Sequence, residues 1–178
     1  TPVLRDVTLD VPVSGILGLQ GPSGRGKSTL LKLLMRYWDP QQGAVALSGD
    51  ALPGVDAHTR RRLQTMMSQE TYLFDGTIAS NLRIANEQAS DDELREALRK
   101  ASILPLIESL PQGMETPVDE LGGRLSEGER QRIGLARMFL RHADLYLFDE
   151  PTSRLDALNE AYILQSINEL VSERDAAV

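Results

Sequence analysis

Gly21-Pro22-Ser23-Gly24-Arg25-Gly26-Lys27-Ser28-Thr29 is the stretch on which the reading of this chain turns. It spells G-x-x-x-x-G-K-[ST], the pattern of a phosphate-binding loop. The apolar run Ile16-Leu17-Gly18-Leu19 before it predicts a buried parallel strand. The leucine-rich stretch from Ser28 to Met35 has no breaker and predicts a helix. Strand, glycine loop and helix together give the motif its chemistry. Glycines let backbone N–H groups turn inward around phosphate oxygens, and the helix N-terminus adds partial positive charge. Lys27 is then placed to neutralise β- and γ-phosphates, and the Ser28 hydroxyl to take one Mg²⁺ position. A glycine-rich turn before a core helix would account for the same residues. With glycine near 7% of residues, however, a chance match is rare, on the order of one in a hundred.

The length of 178 residues suits one domain with a sizeable core. A formal net charge of −7 argues against a general nucleic-acid surface, and leaves local phosphate recognition untouched. The sequence contains no run of 18 apolar residues that would span a membrane, and Thr1 to Val13 does not read as a signal peptide. Without cysteine, disulfides and thiolate metal sites are excluded from this stretch. His58 and His142 lie far apart and read as surface or helix-end residues.

Outward from the loop, Val3 to Val13 alternates apolar and polar residues, the period of a half-buried strand, with Pro12 marking an edge. Ala44 to Leu47 predicts a second strand and Met66-Met67-Ser68 a third, with Gln69 at its end. Thr59-Arg60-Arg61-Arg62-Leu63 reads as a solvated helix face in preference to a nucleic-acid patch. Ser90-Asp91-Asp92-Glu93 is a capping box, followed at helical spacing by Leu94, Ala97, Leu98 and Ala101. Leu104 to Leu110 adds a short helix, and Ser126-Glu127-Gly128-Glu129 opens another that runs to about Leu140. Leu145-Tyr146-Leu147-Phe148 then predicts a buried strand that delivers Asp149 and Glu150 to the crevice at its C-terminal end. A last helix spans 156–173, with Leu158, Tyr162, Ile163, Ile167, Leu170 and Val171 on one side. The fold class expected is α/β. A nucleotide-binding core (1–74 and 141–178) carries a parallel sheet and a small antiparallel β region, and a helical subdomain (75–140) is inserted into it.

Asp149 and Glu150 complete the chemistry of the loop. A Mg²⁺ on a nucleotide triphosphate needs a loop hydroxyl and a carboxylate that orders its waters, and Asp149 fits the second role. Attack on the γ-phosphate needs water to be oriented and deprotonated, for which Glu150, one residue on, is well placed.

With these motifs in hand the chain resembles, along its whole length, the ATP-binding domain of ABC proteins of the exporter type. Gly21 to Ser28 looks like Walker A. Gln69 with Leu73-Phe74-Asp75-Gly76-Thr77-Ile78 and Asn81-Leu82 looks like the Q-loop region. Glu120 to Ser126 looks like the exporter-type lead into the signature, and Leu125 to Arg132 is similar to the signature itself. Leu145 to Glu150 looks like Walker B with its glutamate, and Ser153-Arg154-Leu155-Asp156 like the D-loop.

The resemblance implies ATP and Mg²⁺ as cofactors and a head-to-tail pair of such domains. Ser126 and Gly128 of each domain would cap the γ-phosphate held by the other, and Asp156 of the D-loop is counted with them among the cofactor-binding residues. Gln69 would touch the Mg²⁺ or the attacking water, beside Ser28 and Asp149. The loop after Gln69 would meet a transmembrane domain, which places the chain on the cytoplasmic face of a membrane. Glu127, Glu129 and Arg154 depart from the family pattern at the signature and D-loop. The family's upstream adenine-stacking aromatic and its late histidine are both missing, which implies truncation at both ends. A weakly hydrolysing regulatory half of a heterodimer and a soluble ABC ATPase are the alternative readings.

Overall fold

The computed structural model describes residues 3–118, 125–153 and 155–178. Helix α1 (Lys27–Leu34) follows the glycine loop, with Gly26 in the left-handed region (φ 95°) as its N-cap. Strands β1 (Ala46–Leu47) and β2 (Asp50–Ala51) form a small antiparallel hairpin. Helix α2 (Ala57–Leu63) is capped by Asp56, whose carboxylate accepts from the N–H groups of His58 and Thr59. Strand β3 (Gln64–Met67) is mostly buried. Strand β4 (Gly76–Thr77) leads into α3 (Ile78–Arg83). Helices α4 (Asp91–Lys100) and α5 (Leu104–Ser109) precede β5 (Pro117–Val118), which pairs antiparallel with β4. Helix α6 (Glu127–Leu140), strand β6 (Leu145–Phe148) and helix α7 (Ala157–Arg174) complete the order.

Both capping boxes form as the sequence predicts, at Ser90 with Glu93 and at Ser126 with Glu129. Each satisfies helix-end donors reciprocally, an effect of about 1 kcal/mol per cap.

The central sheet is parallel. β3 pairs with β6 in the register Gln64 with Leu145 through Met67 with Phe148. On the other side of β6 the chain end joins in: Tyr146 N–H donates to the Ala177 carbonyl at 2.8 Å. Beyond it, Gly15 N–H donates to Ala176 O at 3.0 Å and Leu17 N–H to Val178 O at 2.7 Å. The segment before the glycine loop thus runs parallel to the sheet, as expected, but along its outer side. Ile16 and Leu19 are 49% and 38% exposed, so the expected burial of that strand is not met among the described residues.

The alternating stretch near the N-terminus also departs from expectation. No strand forms over residues 3–13, and Val3, Val7, Leu9 and Val13 are all exposed. Alternation supplies two faces, but a strand exists only where neighbouring backbone accepts its hydrogen bonds. Leu158 is the third departure. It is 81% exposed at the first turn of α7, while Ile163, Ile167 and Leu170 turn into the core.

One apolar cluster joins the helices to the sheet: Ile78, Leu82, Leu94, Leu98 and Ile107 meet Ile133 and Leu135 of α6, Tyr146 of β6 and Ile163 of α7. Burying each large side chain contributes roughly 1.5–3 kcal/mol. A second cluster, Leu31, Met35, Leu145, Leu147 and Ala177, anchors α1 to the sheet and so fixes the glycine loop. Gln64 adds a polar tie, its Nε2 donating to the Leu34 carbonyl at 3.1 Å at the end of α1.

Candidate functional site

The loop from Gly21 to Arg25, with Pro22 and Ser23 in it, is exposed, and Gly26 is buried beneath Val3 and Leu4. Gly24 (φ 75°) and Gly26 (φ 95°) both lie in the left-handed region, where a side chain is strained. A Cβ on Gly26 would come within 2.8 Å of Leu4 Cδ2, so this position also needs glycine for space. Lys27 starts α1 and folds back, its Nζ donating to the carbonyls of Gly21 at 2.9 Å and Pro22 at 3.3 Å. Ser28 and Thr29 follow in the first turn, half-buried.

β6 delivers the carboxylates as its sequence predicts. Asp149 is 6% exposed, with its N–H tied to the Met67 carbonyl at 3.0 Å. Glu150 turns out of the sheet with φ 54°, a left-handed conformation that costs a non-glycine residue about 1–2 kcal/mol. Its carboxylate meets the Gln69 amide, whose Nε2 donates to Oε2 at 3.3 Å. Its other oxygen, Oε1, lies 4.0 Å from Lys27 Nζ. Residues 27, 69 and 150 thus converge from three separate parts of the chain, joined by the β3–β6 pairing that puts Gln69 and Glu150 at one end of the sheet.

The donors fit the group that the loop implies. The Ser28 hydroxyl, Gln69 amide and Asp149 carboxylate are hard oxygen ligands, suited to Mg²⁺ carried by phosphates. The N–H groups of the first turn of α1, which have no partner within the helix, suit the phosphates themselves.

Other predicted residues are engaged within their own helix ends. Ser126 N–H donates to Glu129 Oε2 at 2.7 Å, and Ser126 Oγ accepts from Glu129 N–H at 3.3 Å. Gly128 is half-buried in the same turn. Asp156 caps α7, accepting from the N–H groups of Leu158 at 3.1 Å and Asn159 at 3.0 Å. Those hydrogen bonds, led by Asn159, hold its carboxyl below the ordinary value. Glu120 to Arg124 and Arg154, named from the sequence, lie outside the described residues.

Three residues near the site carried no role in the sequence reading. Gln131 is buried and its Nε2 donates to the Glu150 carbonyl at 3.0 Å. Arg137 donates to Asn81 O, Asn81 Oδ1 and Tyr72 O at 2.9, 2.7 and 2.7 Å. Asn81 in turn bonds Phe74 through both N–H and carbonyl, at 2.9 Å each. Partial burial lowers the Arg137 pKa to about 10. Gln131 and Asn81 lie in quoted motifs, but a motif does not reveal which of its polar residues face inward; Arg137 lies in none of them. Beside Arg137 a groove runs between β3, the segment after Gln69 and α6, lined by Met66, Glu70, Tyr72, Phe74, Ile84 and Arg141.

The sequence profile described as "ABC transporter" matches residues 4–153. A probable ABC transporter ATP-binding/permease protein of Haemophilus influenzae is 50% identical over 172 residues, covering 97% of this chain and 31% of that protein. A mitochondrial iron-sulfur clusters transporter, atm1, of Aspergillus fumigatus is 38% identical over 173 residues, covering 97% of this chain and 24% of its own length. Among solved structures, a bacterial Atm1-family ABC exporter with ATP bound superposes with a TM-score of 0.88 at 35% identity, over 97% of this chain and 30% of that one. The chain therefore spans about a third or less of the relatives it matches.

Proposed function

The chain belongs to the ABC transporter family, and from that premise we propose that it is the ATP-binding and ATP-hydrolysing domain of an exporter. The observation that carries the reading is the convergence of Lys27, Gln69 and Glu150 at one end of the parallel sheet. Lys27 exchanges the carbonyls of Gly21 and Pro22 for β- and γ-phosphate oxygens. Ser28, Gln69 and Asp149 would hold Mg²⁺, which would supply positive charge beside that of Lys27. Glu150 orients the attacking water and accepts its proton, and the Gln69 amide keeps that carboxylate in place.

Two partners follow from this reading. A second domain of the same kind faces this one, so that Ser126 and Gly128 at the start of α6 cap its nucleotide while Asp156 lies near the contact. A transmembrane domain seats an element in the groove by Tyr72 and Phe74, which are 57% and 50% exposed and stacked edge to face. The domain then works at the cytoplasmic face of the membrane. Export draws on the preference of ATP for the closed pair. Moving that equilibrium from 1:99 to 99:1 takes about 5.5 kcal/mol.

Glu150→Gln in the full-length protein tests the reading. ATP binding persists and steady-state hydrolysis falls at least 100-fold, by the usual weight of a general base. Turnover within twofold of the parent removes Glu150 from the mechanism.

A further inference from the structure

Gln131 lies one turn into α6 and is 2% exposed. Its Nε2 donates to the Glu150 carbonyl at 3.0 Å, while its Oε1 is buried without a hydrogen-bond partner among the described residues. An orphaned amide oxygen is a standing penalty, and methionine or leucine would fill the same space without it. What the amide supplies in return is a donor at the one peptide where β6 leaves the sheet in a strained turn, Glu150 at φ 54°. A non-glycine residue stays in that conformation only when its surroundings hold it. Pro151 restricts the residue before it but offers no N–H to anchor it.

We propose that Gln131 is a positioning residue for Glu150. It pins the Glu150 carbonyl, and so keeps the carboxylate against Gln69 at 3.3 Å and within 4.0 Å of Lys27. The inference rests on the reading of Glu150 as the hydrolytic base. It also gives α6 two duties at one end. On the proposed pairing Ser126, its N-cap, would meet the nucleotide of the opposing domain, and Gln131, one turn later, holds this domain's own glutamate.

The test is Gln131→Met in the full-length protein, with Gln131→Leu as the second variant and Glu150→Gln alongside. Both apolar variants keep the side-chain volume and remove the donor together with the orphaned acceptor. Steady-state ATPase assays should show kcat about tenfold lower with KM for ATP within twofold of the parent. The thermal midpoint should hold or rise, because the penalty of the buried oxygen is gone. A kcat within twofold of the parent, with Glu150→Gln inactive, overturns the inference and leaves the reading of Glu150 intact. A kcat loss that tracks a fall in thermal midpoint in both variants also overturns it, since Gln131 then acts through stability alone. Full turnover in Glu150→Gln overturns the reading itself, and the positioning role with it.

Discussion

Arg137→Met is the perturbation whose size the structure defines best. The guanidinium makes three hydrogen bonds, two to Asn81 and one to the Tyr72 carbonyl. Through Asn81 those bonds reach the Phe74 N–H and the carbonyls of Phe74 and Thr77, so one side chain of α6 fastens the whole 72–77 segment. A hydrogen bond from a charged donor contributes about 1.5–3 kcal/mol. Against that stands desolvation: burial lowers the guanidinium pKa to about 10, a cost of about 3 kcal/mol on the charge. The balance favours the hydrogen bonds by about 3 kcal/mol, or about 100-fold in the local opening equilibrium. Methionine keeps most of the apolar stem packing and none of the donors. Hydrogen–deuterium exchange at Phe74 should therefore quicken about 100-fold in Arg137→Met, while amides of α4 keep their protection. Arg137→Lys should recover only part, because an ammonium lacks the planar fork that spans Asn81 and Tyr72. Exchange at Phe74 within about threefold of the parent would refute the reasoning and show that desolvation cancels the network.

Glu129→Gln keeps the capping box, since glutamine also serves at that position, and removes a negative charge from the α6 N-terminus. The expected result is a lower KM for ATP with little change in thermal midpoint, and an unchanged KM places Glu129 away from the nucleotide. Gly134→Ala puts a Cβ 2.4 Å from Thr71 Oγ1, so the segment just after Gln69 has to move. Its ATPase rate should fall about tenfold, and Thr71→Ala should restore much of the loss; no rescue would trace the defect elsewhere. Asp56, Glu93 and Asp156 have carboxyls lowered from 3.8, 4.5 and 3.8 by hydrogen bonds at helix N-termini. Their folded values lie below the unfolded ones, so their stabilisation is complete above about pH 5 and fades as pH falls through the folded values. A thermal midpoint level from pH 7 to about 5 and declining below about 4.5 is expected, and a midpoint that rises on acidification would contradict it.

Sequence by itself determined the local features of this protein. The glycine loop, the two capping boxes and the strand ending in Asp149-Glu150 each need only neighbouring residues, because propensity, capping and left-handed glycines act over a single turn. Family membership was legible for the same reason, as short motifs in a fixed order. Sheet membership was not. Ile16 and Leu19 look like a buried strand by composition, yet burial depends on which segments flank them. The alternation of 3–13 could not show that, among the described residues, no strand forms there, and the apolar Leu158 could not show that it stays 81% exposed. Only tertiary structure decided that Gln69 and Glu150, 81 positions apart, share a hydrogen bond. It alone also turned Gln131 and Arg137 inward from a helix with polar residues on several faces. These are long-range contacts, fixed by the β3–β6 register and the packing of α6, and no local pattern encodes them.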